Sequence, residues 1–453
     1  MKLPVVLILS ALVVGLSSCD EKEAAPVDSV VQSLLTSLNE ELTPISALDP
    51  NIWTDSDLKF MDEYASKGIV ALGEATHGTS EFFKAKHRVF RYLVEKHGFK
   101  VFTIEADVGE SMLINQAVMN SDKSLIVTLM LNNMHFWTWQ TNEVRDLLFW
   151  MCDYNKGKPV DQKLQYWGVD CQYNTYYPEM LKSRLQKANV PFFSSAKTFL
   201  DETTVLTRDR FKTYSQTDFL KYLEKTEGLT DSITKYKDLI VASSSEKDIE
   251  FAGSSEKNFA LTLHLVDVLR QTSEVIFNLE KGNSFNYRDV FMADNTGWVR
   301  EQLGESKMFL WAHNFHVSSA PNWGTQGKYI KDKFPNDYAS VGFLFSKGTF
   351  RAVTMTGPNQ YGALEVQILD DEPLSGSISD VMSRTEGPVY TVRMSDLQKH
   401  PEWNTAFQKG IKYFQTGAVF NDKDVEAFYS NFDPNFFDRV IWFRITTSAT
   451  KVL

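Results

Sequence analysis

Cysteine is scarce in this chain, with three residues in 453. Cys19 lies in an N-terminal segment of special composition, which leaves Cys152 and Cys171 for the folded part. Two thiols are too few for a disulfide framework, and no Cys-x-x-Cys pair or histidine-rich tract suggests structural zinc. We therefore expect two buried free thiols, with a single disulfide bridge as the alternative.

Positive charge is also in short supply. The formal net charge is -11, and the lysines and arginines form no cluster. Because proteins bind a phosphate backbone through such a cluster, the composition argues against a nucleic-acid partner.

Several catalytic signatures are missing as well. The sequence contains no GxSxG elbow, no GxGxxG after a strand, no P-loop and no HExxH helix. These absences disfavour a serine α/β-hydrolase, a dinucleotide enzyme and a P-loop enzyme. With 43% hydrophobic residues, the chain can still build a large core.

The longest hydrophobic run stands at the N-terminus, in "MKLPVVLILSALVVGLSSCD". Its order of charge, apolar stretch and small residues predicts a signal peptide over residues 1–18. The "LSSC" ending resembles the lipobox of bacterial lipoproteins, which implies a lipidated Cys19 and a protein anchored at the cell envelope by lipid alone. An ordinary secretory signal is the alternative. The polar sequence that follows predicts a tether over residues 19–45, and residues 46–453 then form the folded domain.

Four short apolar runs each end on polar residues: "GIVALGEATHG", "FKVFTIEAD", "LQYWGVD" and "KMFLWAHNFH". Runs of this length between amphipathic stretches indicate buried parallel strands joined by helices. We predict an α/β fold with a mostly parallel central sheet flanked by helices. Charged, helix-periodic sequence over residues 176–285 predicts an inserted helical lobe over the cleft.

Two helices have clear boundaries in the sequence. After the first apolar run, Thr79 or Ser80 is suited to an N-cap, and Gly98 is suited to a C-cap. A second helix is predicted from about Thr141 to Asn155.

Ligands of open α/β sheets bind beyond the carboxyl ends of the strands. If the four runs are neighbouring parallel strands, the polar residues at their ends share one crevice. These residues are Glu74, His77, Glu105, Asp107, Asp170, His313 and His316.

An imidazole beside a carboxylate is the natural candidate for proton transfer near neutral pH. His77 with Glu74 or Glu105 would make such a base. His313 and His316 have a spacing that metal ligands often show, although zinc would need a third ligand. Structural roles for the histidines are the simpler alternative.

Three further residue types complete the candidate site. Arg288 can hold a carboxylate or stabilise an oxyanion, unless it forms a buried pair with Asp289 or another acid. Asp107, Trp139 and Asp170 are assigned to substrate binding, with a helix cap and a core position as alternatives for Asp107 and Trp139.

Together these motifs resemble the erythromycin esterase family, from about residue 65 to the C-terminus. The segments that carry the resemblance are "GEATHGTSEFFKAKHRVFRYLVEKHGF", "IEAD", "WTWQTNEV", "WGVDCQ", "RDVFMADNTGW" and "WAHNFHVS". The resemblance implies hydrolysis of a macrolide lactone or another small-molecule ester by water, without a serine nucleophile, a metal or a cofactor. It implies that His77 is the general base, with Glu74, Glu105, His313, His316 and Arg288 as the other catalytic residues.

Two other functions remain open from the residues. One is a metal-dependent hydrolase with ligands among Glu74, His77, His313 and His316. The other is a surface-anchored protein that binds a small molecule in an aromatic cleft without converting it.

Overall fold

One large sheet organises the folded chain. The computed structural model describes residues 28–452 except 53–55, 205–207, 284, 358–359 and 371. The predicted signal peptide and Cys19 therefore lie outside the described residues. The described strands are β1 Thr43–Pro44, β2 Ile69–Leu72, β3 Val101–Asp107, β4 Gln165–Asp170, β5 Met308–Trp311, β6 Tyr338–Gly357, β7 Gln360–Leu369, β8 Val389–Arg393, β9 Lys412–Phe414, β10 Val419–Phe420, β11 Tyr429–Asn431 and β12 Arg439–Thr446.

Helices cover the sheet and fill the long connections between its strands. In chain order the described helices are α1 Ser29–Glu41, α2 Ser80–His97, α3 Val108–Met119, α4 Lys123–Asn133, α5 Asn142–Asn155, α6 Tyr177–Lys187, α7 Phe193–Thr204, α8 Arg208–Thr213, α9 Gln216–Lys235, α10 Lys237–Ala242, α11 Glu246–Ala252, α12 Ser255–Glu280, α13 Tyr287–Gln302, α14 Asn314–Val317, α15 Gln326–Lys333, α16 Ile378–Ser383, α17 Met394–Leu397 and α18 Pro401–Gln408.

The main sheet has the strand order β1-β8-β12-β6-β2-β5-β3-β4. From β12 to β4 every neighbouring pair is parallel, whereas β8 and β1 are added antiparallel at one edge. Strand β7 forms an antiparallel hairpin with the far half of β6. The predicted α/β class with a mostly parallel sheet is confirmed, and β2, β5, β3 and β4, which come from the four apolar runs, are neighbours.

Helix α2 connects β2 to β3 and follows its predicted boundaries. Thr79 is the N-cap, and Gly98 ends the helix in the left-handed region with φ 71°. Its backbone N–H donates to the carbonyl of Leu93, which satisfies one of the free carbonyls at the helix end. Helix α5 likewise begins after Thr141, whose side chain accepts from the Val144 N–H.

In its described part, the segment between β4 and α13 contains seven helices, α6 to α12, and no strand. Helix α12 is central there and contacts α6, α8, α9, α10 and α11. Phe219 of α9 stacks on Phe277 of α12 with ring centroids 4.0 Å apart. The segment leaves the sheet after Asp170 and returns just before Arg288, so both of its ends lie at the candidate site.

The N-terminal boundary differs from the prediction. A tether was expected as far as residue 45, but α1 is a helix whose Val31, Leu34 and Leu38 are buried. It packs against α16, α17 and α18, and β1 pairs with β8. Polar residues surround these three apolar positions in the sequence, which made an amphipathic helix hard to distinguish from a tether. The folded part therefore already includes residue 29.

Two other features bear on the sequence predictions. Cys152 and Cys171 are both free and buried, as expected. Among the described helices, none has the length and apolar character needed to cross a bilayer.

Candidate active site

The candidate site lies at the carboxyl ends of four neighbouring parallel strands. Glu74 and His77 follow β2, Glu105 lies near the end of β3, Asp170 ends β4, and the histidine pair follows β5. Arg288 joins them from α13. The residues span more than 240 positions of the sequence and meet because parallel strands place their carboxyl ends on one edge.

His77 is paired with a buried carboxylate. Its Nδ1 lies 2.8 Å from Glu74 Oε1, and the glutamate is completely inaccessible to solvent. A carboxylate accepts, so Nδ1 carries the proton and Nε2 keeps its lone pair. Within the described chain no protein group hydrogen-bonds to Nε2, and the residue keeps 6% of its surface exposed. His77 is thus an oriented base with one free nitrogen.

Glu74 is itself fixed by two donors that the sequence analysis missed. Lys86 Nζ lies 2.6 Å from Glu74 Oε2, and the indole N–H of Trp311 donates to the same oxygen at 2.7 Å. Lys86 also lies over the Trp311 ring, 4.4 Å from its centroid. Burial lowers the pKa of Lys86 to about 8, against the opposing effect of Glu74. The carboxylate is therefore held from three sides.

Two glycines allow the close approaches around His77. A Cβ on Gly73 would lie 2.2 Å from Asn314 Oδ1, and one on Gly78 would lie 2.2 Å from the carbonyl oxygen of Arg351. Asn314 in turn accepts from Phe343 N–H, which ties the end of β5 to β6. Glycine at both positions lets the His77 turn sit directly against β6.

His313 lies beside His77, with ring centroids 5.0 Å apart. Its Nδ1 accepts from the Phe315 N–H at 3.2 Å as the N-cap of α14. Its Nε2 then donates to the carbonyl of Thr416 at 3.3 Å. Burial, with the neighbouring His77, lowers the pKa of His313 to about 3. Both ring nitrogens are engaged, so His313 is a neutral structural neighbour of the base.

Arg288 is clamped by two carboxylates. Its Nε and Nη2 donate to Asp170 Oδ1 and Oδ2 at 2.8 and 2.7 Å, and Nη2 also donates to Glu105 Oε1 at 2.8 Å. The other Glu105 oxygen accepts from the His313 backbone N–H at 2.8 Å. Burial alone would raise the pKa of Glu105, but His316 and Arg288 hold it well below its usual range. The alternative of a buried pair between Arg288 and an acid is therefore observed, with Asp170 and Glu105 as the partners instead of Asp289.

His316 bridges Glu105 and Asp289. Its Nδ1 lies 2.8 Å from Asp289 Oδ1, and its Nε2 lies 3.2 Å from Glu105 Oε1. Burial would lower the pKa of His316, but the two carboxylates raise it to about 10. As an imidazolium, His316 donates to both acids. Its 3.0 Å approach to Arg288 Nη1 is then a contact between cations, and becomes a hydrogen bond once Nε2 is deprotonated.

Asp107 and Trp139 do not line an open cleft, contrary to the substrate-binding assignment. Asp107 is buried, caps α3 through the Gly109 N–H, and accepts from the Tyr177 hydroxyl. Trp139 is completely buried and packs edge-on against His77 and Trp311. Asp170, also buried, holds Arg288 instead of facing a ligand. Residue type alone does not distinguish a side chain that lines the cleft from a buried side chain that holds the lining residues in place.

The accessible wall beside His77 comes from the segment before Trp139. Phe136 is half-buried, with its ring 5.3 Å from that of His77. His135 is exposed, bonds to buried Glu110, and stacks on Tyr173 at 4.6 Å. This short aromatic stretch had only a weak signal in the sequence because its chemistry depends on Glu110 and Tyr173.

The same residues were considered above as metal ligands. Among the described residues, no three side chains of the His, Cys, Asp and Glu types form a group suited to a metal ion. Both ring nitrogens of His313 are hydrogen-bonded to backbone groups, and both ring nitrogens of His316 contact carboxylates. The candidate metal ligands are thus arranged to form hydrogen bonds with one another and with the backbone.

Residues 94–446 match the sequence profile described as Erythromycin esterase. The chain belongs to the erythromycin esterase family. The matched range includes Glu105, Arg288 and the histidine pair, whereas Glu74 and His77 precede it.

Individual relatives are distant. The chain is 24% identical over 341 residues to the erythromycin esterase type II of Escherichia coli, covering 70% of this chain and 78% of that protein. It is also 24% identical over 375 residues to the putative hydrolase YbfO of Bacillus subtilis, covering 76% and 78%. A solved mutant of the erythromycin esterase EreC in its open conformation has the same fold, with a TM-score of 0.63 and 16% identity over 90% of this chain and 97% of that one. These findings support a hydrolase.

Proposed function

We propose that this protein hydrolyses a carboxylic ester or a macrolide-like lactone with a water molecule activated by His77. The observation that carries the proposal is the 2.8 Å pair between His77 Nδ1 and Glu74 Oε1, with Nε2 left free of protein partners among the described residues. Family membership and the name of the Escherichia coli relative support the ester as the reacting group.

In the proposed reaction, Nε2 of His77 removes a proton from water as the water oxygen bonds to the carbonyl carbon. Glu74 stays ionised and stabilises the imidazolium through Nδ1–H. His77 then returns the proton to the leaving oxygen as the C–O bond breaks. A lactone gives one hydroxy acid, and an open ester gives an acid and an alcohol.

The carbonyl oxygen becomes negative during this reaction and needs a positive environment. We propose that Arg288 and protonated His316 supply it. Nε and Nη2 of Arg288 are committed to Asp170 and Glu105, so Nη1, which lies 3.0 Å from His316 Nε2, is the nitrogen without a carboxylate partner and the one proposed to face the oxyanion. The carboxylates hold the guanidinium still, which gives electrostatic stabilisation without reorganisation.

The reaction class can be tested by mass spectrometry. The purified protein is incubated with carboxylic esters and macrolide lactones, and with H77A as the control. The proposal expects at least one lactone to gain the mass of one water, or one ester to release its acid, with wild type alone. Binding of panel members without conversion would instead support a binding protein, and equal conversion by H77A would contradict the role of His77.

The lipid anchor stays a proposal based on the lipobox-like "LSSC" sequence. We propose that Cys19 is lipidated and holds the enzyme at the cell envelope. Bacterial expression of wild type and C19S, followed by detergent phase partitioning, tests it. Wild type should enter the detergent phase and C19S should not, whereas identical partitioning would contradict the anchor.

A further inference from the structure

Arg351 differs from the other buried or half-buried arginines near the sheet. Arg88 bonds to Asp57, Arg288 to Asp170, and Arg439 to Glu63. The Arg351 side chain makes no hydrogen bond or ion pair with any described residue, and its Nη1 is shielded from solvent without a partner. A guanidinium nitrogen in that position normally has an acceptor, so the missing one points to a ligand.

The position of Arg351 is fixed by its backbone. Its N–H donates to the carbonyl oxygen of Gly78 at 3.0 Å, and Gly78 directly follows His77. The flanking residues Phe350 and Ala352 are both completely buried in the core. Since side chains alternate along a strand, Arg351 projects to the opposite face of β6. A rigid strand therefore presents the guanidinium next to the turn that carries the base.

Aromatic rings connect Arg351 to the base. Its guanidinium carbon lies 5.7 Å from the centroid of the half-buried Trp137 ring. Trp137 is 5.7 Å from Phe136, and Phe136 is 5.3 Å from His77. The rings of Trp137 and Phe136 thus form a row of contacts from the guanidinium to His77.

Glu143 acts electrostatically on Arg351 but forms no ion pair with it. Glu143 already accepts from the Ser80 hydroxyl at 2.6 Å and from the Thr450 N–H. Burial lowers the pKa of Arg351, with Glu143 acting only in the opposite direction. An anion placed against Nη1 would therefore relieve an unbalanced charge.

We propose that Arg351 and Trp137 form a subsite for a carboxylate that the substrate carries away from its scissile ester. The planar fork of the guanidinium matches a carboxylate in two parallel hydrogen bonds. The subsite makes the substrate class an ester with a second, acidic group. The catalytic readout of this inference rests on the proposed hydrolysis, whereas its binding readout does not.

A matched pair of chromogenic esters tests the catalytic readout. Mono-4-nitrophenyl glutarate carries the carboxylate and 4-nitrophenyl acetate lacks it. For R351Q we expect kcat/KM for the glutarate ester to fall by about tenfold or more, with less than about twofold change for the acetate ester. R351K should retain part of the preference. R444Q, which removes an exposed arginine from β12, is the charge-matched control and should change neither rate.

Calorimetric binding of glutarate tests the subsite without turnover. Wild type and R444Q should bind glutarate equally, and R351Q should bind it about tenfold or more weakly. Glutarate binding that is absent, or equal in wild type and R351Q, would overturn the subsite. An equal loss of kcat/KM for the glutarate and acetate esters in R351Q would also overturn the subsite. If glutarate binds through Arg351 but no ester is hydrolysed, the subsite stands and the proposed hydrolysis fails.

Discussion

Lys86 Nζ lies 2.6 Å from Glu74 Oε2, on the carboxylate whose other oxygen holds Nδ1 of His77. Lys86 thereby acts on the base through Glu74. Replacing it in K86M leaves a buried carboxylate without its counter-ion, which should cost about 3–5 kcal/mol of unfolding free energy. A general base contributes about 100-fold to 10,000-fold to the rate, and we expect K86M to lose part of that contribution. The loss should lower kcat and leave KM little changed. Urea denaturation and steady-state kinetics measure both.

A double-mutant cycle separates this role from simple packing. K86M and E74Q should each destabilise the protein, but the variant with both changes should be more stable than the sum predicts, because no unpaired charge remains. Additive free energies would mean that the contact between Lys86 and Glu74 contributes nothing specific. K86R, which keeps the charge, should retain more activity than K86M.

His316 should make the stability of the protein depend on pH. Its pKa is raised from 6.5 to about 10 by Asp289 and Glu105 against the effect of burial. The folded state therefore holds the proton more tightly than the unfolded state. The stabilisation is fully present below pH 6.5 and is lost as the pH rises through about 10.

H316Q isolates that effect because it lacks the titrating ring. The difference in unfolding free energy between wild type and H316Q should shrink by about 3–5 kcal/mol between pH 6 and pH 10. Urea titrations of both proteins across this range provide the measurement. A constant difference would show that folding does not raise the pKa of His316.

Asp170 should act through the orientation of Arg288. In D170N the bidentate carboxylate becomes an amide, and the guanidinium can rotate away from the oxyanion position. We expect kcat to fall by up to about 100-fold, with the pH dependence of the remaining activity unchanged. D337N is the matched control, because Asp337 holds Arg300 at the start of β2 rather than at the site. Equal losses of activity in both variants would contradict the proposed role.

Removal of metal ions should leave the rate unchanged. The proposed base works through Glu74, and the rings of His313 and His316 are engaged by backbone and carboxylate groups. Dialysis against a chelator, followed by elemental analysis and kinetics, tests this expectation. A rate that falls on chelation and returns with added zinc or manganese would favour the metal-dependent alternative.

The strand ends were predictable because a buried parallel strand has a simple sequence pattern. "GIVALG" and "KMFLWAH" are short apolar runs between longer helical stretches, and a polar residue that ends such a run must lie at the sheet edge. That argument places Glu74, Glu105, Asp170 and His313 at the edge. It does not say which of them face a ligand.

Pairing across long distances in sequence was not predictable. Arg288 and Asp289 are adjacent in α13, but neighbours in a helix project in different directions, so each finds a separate partner. Asp170 is 118 residues from Arg288, and His316 is 27 residues from Asp289. Only the folded arrangement decides between these pairs.

The burial of Lys86 could have been predicted from the helical periodicity of the sequence. It lies four residues after Phe82 and three before Val89, on the apolar stripe of α2. A lysine on such a stripe needs a buried acid, and Glu74 precedes the same helix. The other charged residues in "KAKHR" suggested a solvent-exposed face of the helix, so Lys86 was not singled out as buried.

Chemical rescue of H77A by imidazole tests the account most directly. Deleting the ring should lower kcat by about 100-fold to 10,000-fold while the melting temperature stays near that of wild type. Added imidazole should then restore part of the rate, because Glu74, Lys86 and Trp311 remain to receive a ring in the vacated space. An H77A protein that turns over its ester at the wild-type rate would contradict the account.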